Sequence, residues 1–138
     1  MLVKTEWHQA ERIIIQAFAG TVSLADVEAG WQEVVALAKE TKGQLPIHLI
    51  IDFSQREGYE PELFKLQTLR YLFDLSSQSK RLEWLIVVQA TPNPIMLFTS
   101  TLAARFTGHK FRVVPSIDEA LRYLRYTDSS LIEPPPSS

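Results

Sequence analysis

Residues 49–58 read LIIDFSQREG, an apolar run that ends in an acid, a hydroxyl and then charged residues. The run belongs to a longer apolar segment, Pro46 to Phe53, whose length and continuous hydrophobicity are typical of a strand covered on both faces of a parallel sheet. Leu82 to Gln89 repeats this pattern, and Phe111 to Val114 gives a shorter version of it. Because parallel strands require crossover connections, these segments together predict an α/β fold.

Two capping boxes predict the first and last helices. Ser23 is followed three residues later by Asp26, and an apolar pattern at helical spacing then continues to Gly43. Ser116 and Glu119 repeat the arrangement before the last helix. In each pair the hydroxyl can accept a hydrogen bond from a free backbone N–H in the first turn, so both helix starts can be identified from sequence.

Prolines indicate the two middle helices. Pro61 suits the first turn of a second helix that reaches about Ser76. Thr91 and the prolines after it supply cap and first-turn chemistry for a third helix that ends near Gly108. These two helices fill the intervals between the apolar runs.

The N-terminal segment predicts a β-hairpin. Leu2 to His8 and Arg12 to Ala19 are rich in strand-forming residues and are separated by a linker of turn length. The element order is therefore ββαβαβαβα: an α/β domain with an N-terminal β-hairpin, alternating helices and strands, and a mixed, mostly parallel sheet. Each crossover in such a sheet is expected to be right-handed.

Composition limits the class of protein. The chain has 138 residues, 46% hydrophobic and 22% charged, which suits one globular domain at residues 1–127. Residues 128–138 form a Pro/Ser-rich tail that we expect to be flexible. The formal net charge of -2 argues against nucleic acid as a partner. The chain has no cysteine, no apolar run that could span a membrane and no signal-peptide pattern, so we expect a cytoplasmic location.

The element order resembles that of the STAS or SpoIIAA-like domains of anti-sigma factor antagonists. Three local stretches add to the resemblance: GTVS at residues 20–23, IIDFS at residues 50–54 and SIDEAL at residues 116–121. The second matches the family's strand that ends in an Asp-Leu-Ser-like triplet. The resemblance implies a SpoIIAA-like fold and a non-catalytic domain that regulates or binds another protein.

One motif of that family is missing. In the phosphorylated antagonists, a serine near the start of the second helix is the target of a partner kinase. Here that neighbourhood reads YEPE at residues 59–62, with neither serine nor threonine. The resemblance therefore implies the interaction scaffold without the phosphoserine switch. Glu60 and Glu62 could instead place permanent negative charge at the helix start, or could be ordinary first-turn acids.

Ligands of open α/β sheets gather beyond the carboxyl ends of the parallel strands. That rule predicts a crevice formed by Asp52, Ser54, Thr91 and Ser116. The alternative is that these side chains only cap helices and accept loop N–H groups. The crevice supports a second hypothesis for function, in which the domain is a module that binds a small molecule or a lipid. A small apolar ligand is the partner expected in that case.

Helices two and three carry more apolar residues than one core face needs. We assign the inner stripe of helix three to Ile95, Phe98, Leu102 and Phe106. The remaining residues predict an interaction face for a homodimer or a protein partner: Phe64, Tyr71, Leu75, Met96 and Leu97. The alternative is that the face packs only against the adjacent helix.

Catalysis and metal binding have little support in the sequence. No nucleophile elbow or phosphate-binding glycine loop occurs, so we expect neither an enzyme nor a cofactor. His8, His48 and His109 could share the amino-terminal edge of the sheet, but their spacing matches no metal motif, and we expect no metal site. The predicted core includes the residues Trp31, Ile50, Ile51, Leu85, Ile86 and Leu121.

Overall fold

A computed structural model of the chain describes residues 2–76, 81–91, 94–108 and 110–131. The strands are β1 (Leu2–Gln9), β2 (Ile13–Val22), β3 (Ile47–Tyr59), β4 (Leu82–Val88) and β5 (Lys110–Val114). The helices are α1 (Leu24–Lys39), α2 (Leu66–Ser76), α3 (Pro94–Thr107) and α4 (Ile117–Thr127), with a 3-10 turn at Pro61–Phe64. The predicted fold class and element order are confirmed.

The five strands lie in the sheet in the order in which they occur in the chain. β1 and β2 are antiparallel, and the remaining neighbours are parallel. Side chains of β3 alternate between two cores. Ile51 packs in the same cluster as Val34 of α1, whereas Ile50 packs with Leu124 of α4. The helices α1, α2 and α3 therefore cover one face of the sheet, as successive crossovers of one hand require, and α4, which follows the last strand, covers the other.

A buried amide joins the hairpin to α1. Nε2 of Gln16 donates hydrogen bonds to the carbonyl oxygen of Gly30 at 2.7 Å and to Oγ1 of Thr5 at 2.9 Å. A Cβ atom on Gly30 would lie only 2.8 Å from that Nε2. The glycine therefore allows α1 to pack closely on β2.

Two predicted boundaries around the second helix are wrong. β3 does not end at Phe53 but continues to Tyr59, because β2 continues to pair with it as far as Val22. The predicted first turn of α2 is a separate 3-10 turn, since Lys65 has an extended backbone with φ -73° and ψ 133°. Glu60 and Glu62 therefore precede α2, and no acid lies in its first turn.

The domain is longer than predicted at its C-terminal end. Asp128 and Ser130 accept hydrogen bonds from the guanidinium group of Arg12, and the side chain of Leu131 is buried in the core under α4. The prediction of a flexible tail from residue 128 is thus wrong for residues 128–131. The rest of that predicted tail lies outside the described residues.

Most of the predicted core is buried. Ile50, Ile51, Ile86 and Leu121 are buried, while Trp31 and Leu85 are half-buried against the larger cluster. The predicted inner stripe of α3 is wrong at Phe98, which is 70% exposed. The inner face of α3 instead carries three small buried residues: Ser100, Ala103 and Ala104. They allow α3 to pack closely against α2.

Replacement of Ile50 by alanine should lower the free energy of unfolding by about 2 to 5 kcal/mol, because the residue is completely buried in the central strand. Leu45→Ala is the matched control. That side chain is 51% exposed, so its loss should change stability by less than about 0.5 kcal/mol. Urea denaturation measures both values. Equal effects of the two changes would contradict the assignment of Ile50 to the core.

Candidate functional site

The motif Asp52-Phe53-Ser54 forms a β-bulge in β3. The pairing of β3 with β4 ends where Asp52 faces Val88. On the β2 side, Ala17 pairs with Asp52 and Ala19 pairs with Gln55, so two residues of β3 face one residue of β2. Oδ1 of Asp52 accepts a hydrogen bond from the backbone N–H of Ser54 at 2.8 Å. The carboxylate thus binds a backbone donor at the point where β3 leaves β4.

Three of the four predicted crevice residues lie together. Asp52, Ser54 and Ser116 line an open crevice of about 300 Å³ at the carboxyl ends of β4 and β5. Oγ of Ser116 accepts a hydrogen bond from the backbone N–H of Glu119 at 3.2 Å and so caps α4. Asp52 and Ser116 therefore have local structural roles in addition to their place in the crevice.

Thr91 is not among the described residues that line this crevice. The reason is the direction of each connection. Asp52 is two residues from Ile50, so both lie on the face covered by α4. The chain after β4 instead passes Gln89 and Thr91 on its way to α3, which covers the opposite face. The sequence identified the correct edge of the sheet but could not assign each loop to a face.

The crevice is lined by hydroxyls and carboxylates. Its described lining includes the carboxylates of Asp52 and Asp118 and the hydroxyls of Ser54 and Ser116. A nucleophilic serine needs a neighbouring base, usually an imidazole. The described lining residues include no histidine, lysine or cysteine. The two carboxylates and two hydroxyls can bind a polar or cationic group at the surface.

The extension of β3 is held by Tyr59. Nε2 of Gln89 donates a hydrogen bond to the Tyr59 hydroxyl at 2.6 Å, and the Arg56 guanidinium lies 4.9 Å from the centre of the ring. Burial raises the pKa of Tyr59 to about 12, so the phenol stays neutral. The ring also packs edge-on against Phe53. These contacts fix the strand beyond the end of β4.

The predicted interaction face is divided in the structure. Tyr71 is 45% exposed, and its hydroxyl donates a hydrogen bond to Oε2 of Glu28 on α1 at 3.3 Å. Leu97 is 39% exposed on α3, and α2 lies between α3 and α1. Leu75 is half-buried. The side chains of Phe64 and Met96 lie outside the described residues. Of the predicted face, the structure therefore describes the side chains of Tyr71, Leu75 and Leu97.

At the amino-terminal edge of the sheet, a charge network connects three distant parts of the chain. Oδ2 of Asp128 accepts hydrogen bonds from Arg12 at 2.9 Å and from Nε2 of His48 at 2.8 Å. Burial raises the pKa of Asp128, but hydrogen bonds from Ser130 and His48 outweigh it and lower that pKa to about 2. The carboxylate therefore remains charged and holds the C-terminal segment against β2 and β3.

The same network includes the described residues with the best geometry for a metal. Ligating atoms of His48, Glu83 and Asp128 all lie within 4.8 Å of one another. However, Trp84 donates its backbone N–H to Nδ1 of His48 at 3.3 Å, so Nε2 carries the ring proton. Arg12 already supplies a cation to Asp128. The cluster is thus a closed ion-pair network. His8 is exposed on β1, and His109 lies outside the described residues.

Acidification should destabilise the protein through His48. Burial lowers the pKa of His48 below its ordinary value of 6.5, although the Asp128 carboxylate opposes that shift. The unfolded chain therefore binds a proton at pH values where the folded imidazole is still neutral. As a result, the free energy of unfolding should fall as the pH drops below about 6.5. Asp128 loses its contribution only below its ordinary pKa of 3.8.

Urea denaturation at pH values from 7 to about 5 measures this dependence. His48→Gln is the control, because its amide can still donate to Asp128 but does not titrate. The variant should show a shallower decline in stability than the unsubstituted protein over that range. Identical slopes would mean that other groups cause the decline.

Sequence reasoning did not identify an apolar cavity on the opposite face of the sheet. Its described lining includes Trp31 of α1, Leu72 of α2, Ser100 of α3 and Phe53 of β3. The cavity lies between the sheet and three helices, away from the Asp52 crevice. No periodicity in the sequence could have revealed it, because each lining residue reads as ordinary core.

Comparison with solved structures identifies the fold. An uncharacterized protein of the DUF3478 family from Shewanella loihica PV-4, described as having a SpoIIAA-like fold, matches with a TM-score of 0.55 and 18% identity over 89% of this chain and 92% of that one. The anti-sigma factor antagonist SpoIIAA in its unphosphorylated form matches with a TM-score of 0.53 and 10% identity over 96% and 100%.

The sequence comparisons find less. No protein-family model matches the chain, and no curated protein is significantly similar to it. The chain therefore has a SpoIIAA-like fold, as the sequence predicted. Among the described residues, no helix is long and apolar enough to cross a membrane.

Proposed function

We propose that this SpoIIAA-like domain is a non-catalytic regulatory domain that binds another protein. The observation that carries the proposal is the exposed pair Leu97 and Phe98 on α3, of which Phe98 is 70% exposed. Leu97 and Phe98 lie near the start of α3, and the 3-10 turn at Pro61–Phe64, which follows the extension of β3, contacts that helix. Large apolar side chains exposed side by side are typical of interaction surfaces.

The negative charge of this region favours a partner with basic residues on its surface. Glu57, Glu60 and Glu62 are exposed on the extension of β3 and the turn that follows it. Glu62 also pairs with Lys65 at 3.2 Å, which reduces its local charge only in part. Acids beside an apolar pair favour a protein surface that has apolar residues and basic neighbours. A second copy of this chain is the alternative partner.

The fold of SpoIIAA, described as an anti-sigma factor antagonist, supports a regulatory role. The likeness concerns the fold, so the pathway and partner of this chain are not carried over from that protein. The described lining of the Asp52 crevice places its hydroxyls beside carboxylates and not beside an imidazole, the usual base for a nucleophilic serine, which favours a binding role. We place the protein in the cytoplasm as part of the same proposal.

Replacement of Phe98 by aspartate should weaken partner binding about tenfold or more, because it puts a charge where an apolar side chain would be buried. The experiment is capture of partners from native lysate by the purified protein, followed by an affinity measurement with the identified partner. Sedimentation of the purified protein alone tests the homodimer.

Tyr126→Asp is the matched control, since Tyr126 is 86% exposed on α4, on the opposite face of the sheet. It should leave partner binding unchanged. Equal loss in both variants would show a general effect of added charge. Unchanged binding and unchanged sedimentation in Phe98→Asp would contradict the role of this surface.

We also propose that the domain works without the phosphoserine switch. Residues 55–65 contain no serine or threonine, and Thr68 in α2 is only 8% exposed. Intact-mass analysis of protein isolated from its native cells should therefore show no stoichiometric phosphate near the start of α2. A phosphate mapped to the exposed Ser54 would show that the switch uses a different position.

A further inference from the structure

We propose that the part of β3 beyond its pairing with β4, residues 53–58, binds an extended basic segment of the partner protein. The segment adds to the sheet as a further strand beside β3. We call residues 53–58 the β3 edge. This inference rests on the proposed function, because it specifies how the partner of that proposal binds. Addition of a strand to an open sheet edge is an established mode of peptide recognition.

The β3 edge arises because β3 is longer than its neighbour on one side. β4 pairs with β3 from Ile47 to Asp52, whereas β2 pairs with β3 as far as Tyr59. In the part of the chain that the structure describes, no strand therefore pairs with residues 53–58 on the side of β4. A strand without a neighbour on one side presents backbone N–H and C=O groups there, and an added strand can bind them.

Local contacts occupy only the beginning of the β3 edge. The backbone N–H of Ser54 donates to Oδ1 of Asp52 at 2.8 Å. The carbonyl oxygen of Phe53 accepts a hydrogen bond from Nη1 of Arg56 at 3.3 Å. Both contacts involve the backbone at the bulge, so an added strand should pair chiefly with residues 55–58.

The β3 edge is already extended before a partner arrives. Its carboxyl end is fixed by Glu60, whose backbone N–H donates to the carbonyl oxygen of Val22 at 2.9 Å. Tyr59 is held by the hydrogen bond from Gln89 at 2.6 Å. An added strand therefore does not have to order this part of the chain, which removes one of the entropic costs of binding.

The charge of the segment determines the type of strand that fits. Residues 52–60 contain three acids, Asp52, Glu57 and Glu60, and one base, Arg56. Glu57 and Glu60 are exposed, while the Arg56 guanidinium lies 4.9 Å from the centre of the Tyr59 ring. The net negative charge attracts a basic strand. It also disfavours a second copy of this chain, which would bring the same negative charge to the edge.

The two faces of the sheet predict an alternating pattern in the added strand. On one face, the crevice beside the β3 edge is lined by Asp52, Ser54 and Asp118. On the other face, Phe53 and Tyr59 line an apolar cavity. Successive side chains of a strand point to opposite faces. Basic residues at every second position would therefore lie near the carboxylates, and apolar residues would lie between them in sequence on the face covered by α3.

A synthetic peptide of three Lys-Val repeats with blocked ends is a suitable probe. Its analogue with an N-methyl group on every residue keeps all the side chains and charges but has no backbone donor. At millimolar concentration the unmethylated peptide should shift the ¹H–¹⁵N signals of residues 55–58 and slow their hydrogen exchange. The methylated analogue should bind about tenfold more weakly, because it cannot donate to the carbonyl oxygens of the edge.

Charge reversal on the β3 edge completes the test. Glu57→Lys should weaken binding of the unmethylated peptide about threefold or more, since it replaces an attraction by a repulsion. Glu40→Lys is the matched control. Glu40 is also exposed, but it caps the C-terminal end of α1, which lies at the opposite end of the sheet from Tyr59. Glu60→Lys takes the place of Glu57→Lys if that variant does not fold.

Each outcome decides the proposal. Shifts and slower exchange at residues 55–58, together with weaker binding of the methylated analogue, support it. Equal affinity of the two peptides would show attraction by charge alone and would overturn it. Equal weakening by Glu57→Lys and Glu40→Lys, or no change in the signals of residues 53–58, would also overturn it.

The test is separate from that of the proposed function, which depends on Phe98→Asp and the captured partner. Lost partner binding in Phe98→Asp without pairing of the peptide would keep the proposed function and overturn strand addition. Pairing of the peptide with partner binding and sedimentation unchanged in Phe98→Asp would keep the β3 edge as a peptide site and contradict the role of the surface around Phe98.

Discussion

Burial of β3 on both of its faces is the constraint on which the rest of the structure depends. Ile50 lies in the core under α4, and Ile51 lies in the core under α1. Each face must be covered by helices, because neither core can be exposed to water. The two ends of the same strand then provide the polar sites. His48 belongs to the network at one end, and Asp52 forms the bulge at the other.

The two faces of the sheet are covered unequally, and this has consequences for both. Because α4 is the only described helix on its face, the chain after it is needed to complete that core, and Leu131 is buried there. Asp128 fixes this segment by accepting from Arg12 and His48. On the other face, three helices must pack side by side. α3 closes on α2 through Ala103 and Ala104, whereas space remains near Trp31.

Local features were predictable from sequence, and long-range ones were not. Ser23 and Asp26 form the predicted capping box, because a cap involves residues three positions apart. The continuous hydrophobicity of residues 46–53 correctly predicted a buried strand. The extension of that strand to Tyr59 was missed, because it depends on continued pairing with β2. The Arg12–Asp128 pair joins residues 116 positions apart, and no local pattern indicates such a contact.

In the candidate site, too, local features were predictable from sequence and long-range ones were not. The rule for carboxyl ends of parallel strands brought Asp52 and Ser116 together, but it could not separate the two faces, so Thr91 was wrongly grouped with them. Phe98 was assigned inward because of its hydrophobicity. The small side chains of Ser100 and Ala103 allow close helix packing, and the helix is therefore rotated so that Phe98 faces solvent.

The cavity and the exposed apolar pair share α3. Leu97 and Ser100 are three residues apart, so they are neighbours on the helix, yet Leu97 is exposed and Ser100 lines the cavity. The inner side of α3 is held by the contact of Ala103 and Ala104 with Leu69 of α2, whereas Leu97 and Phe98 lie on its outer surface. A partner that covers Leu97 and Phe98 would therefore dock on a helix whose position the close-packed core beneath it already sets.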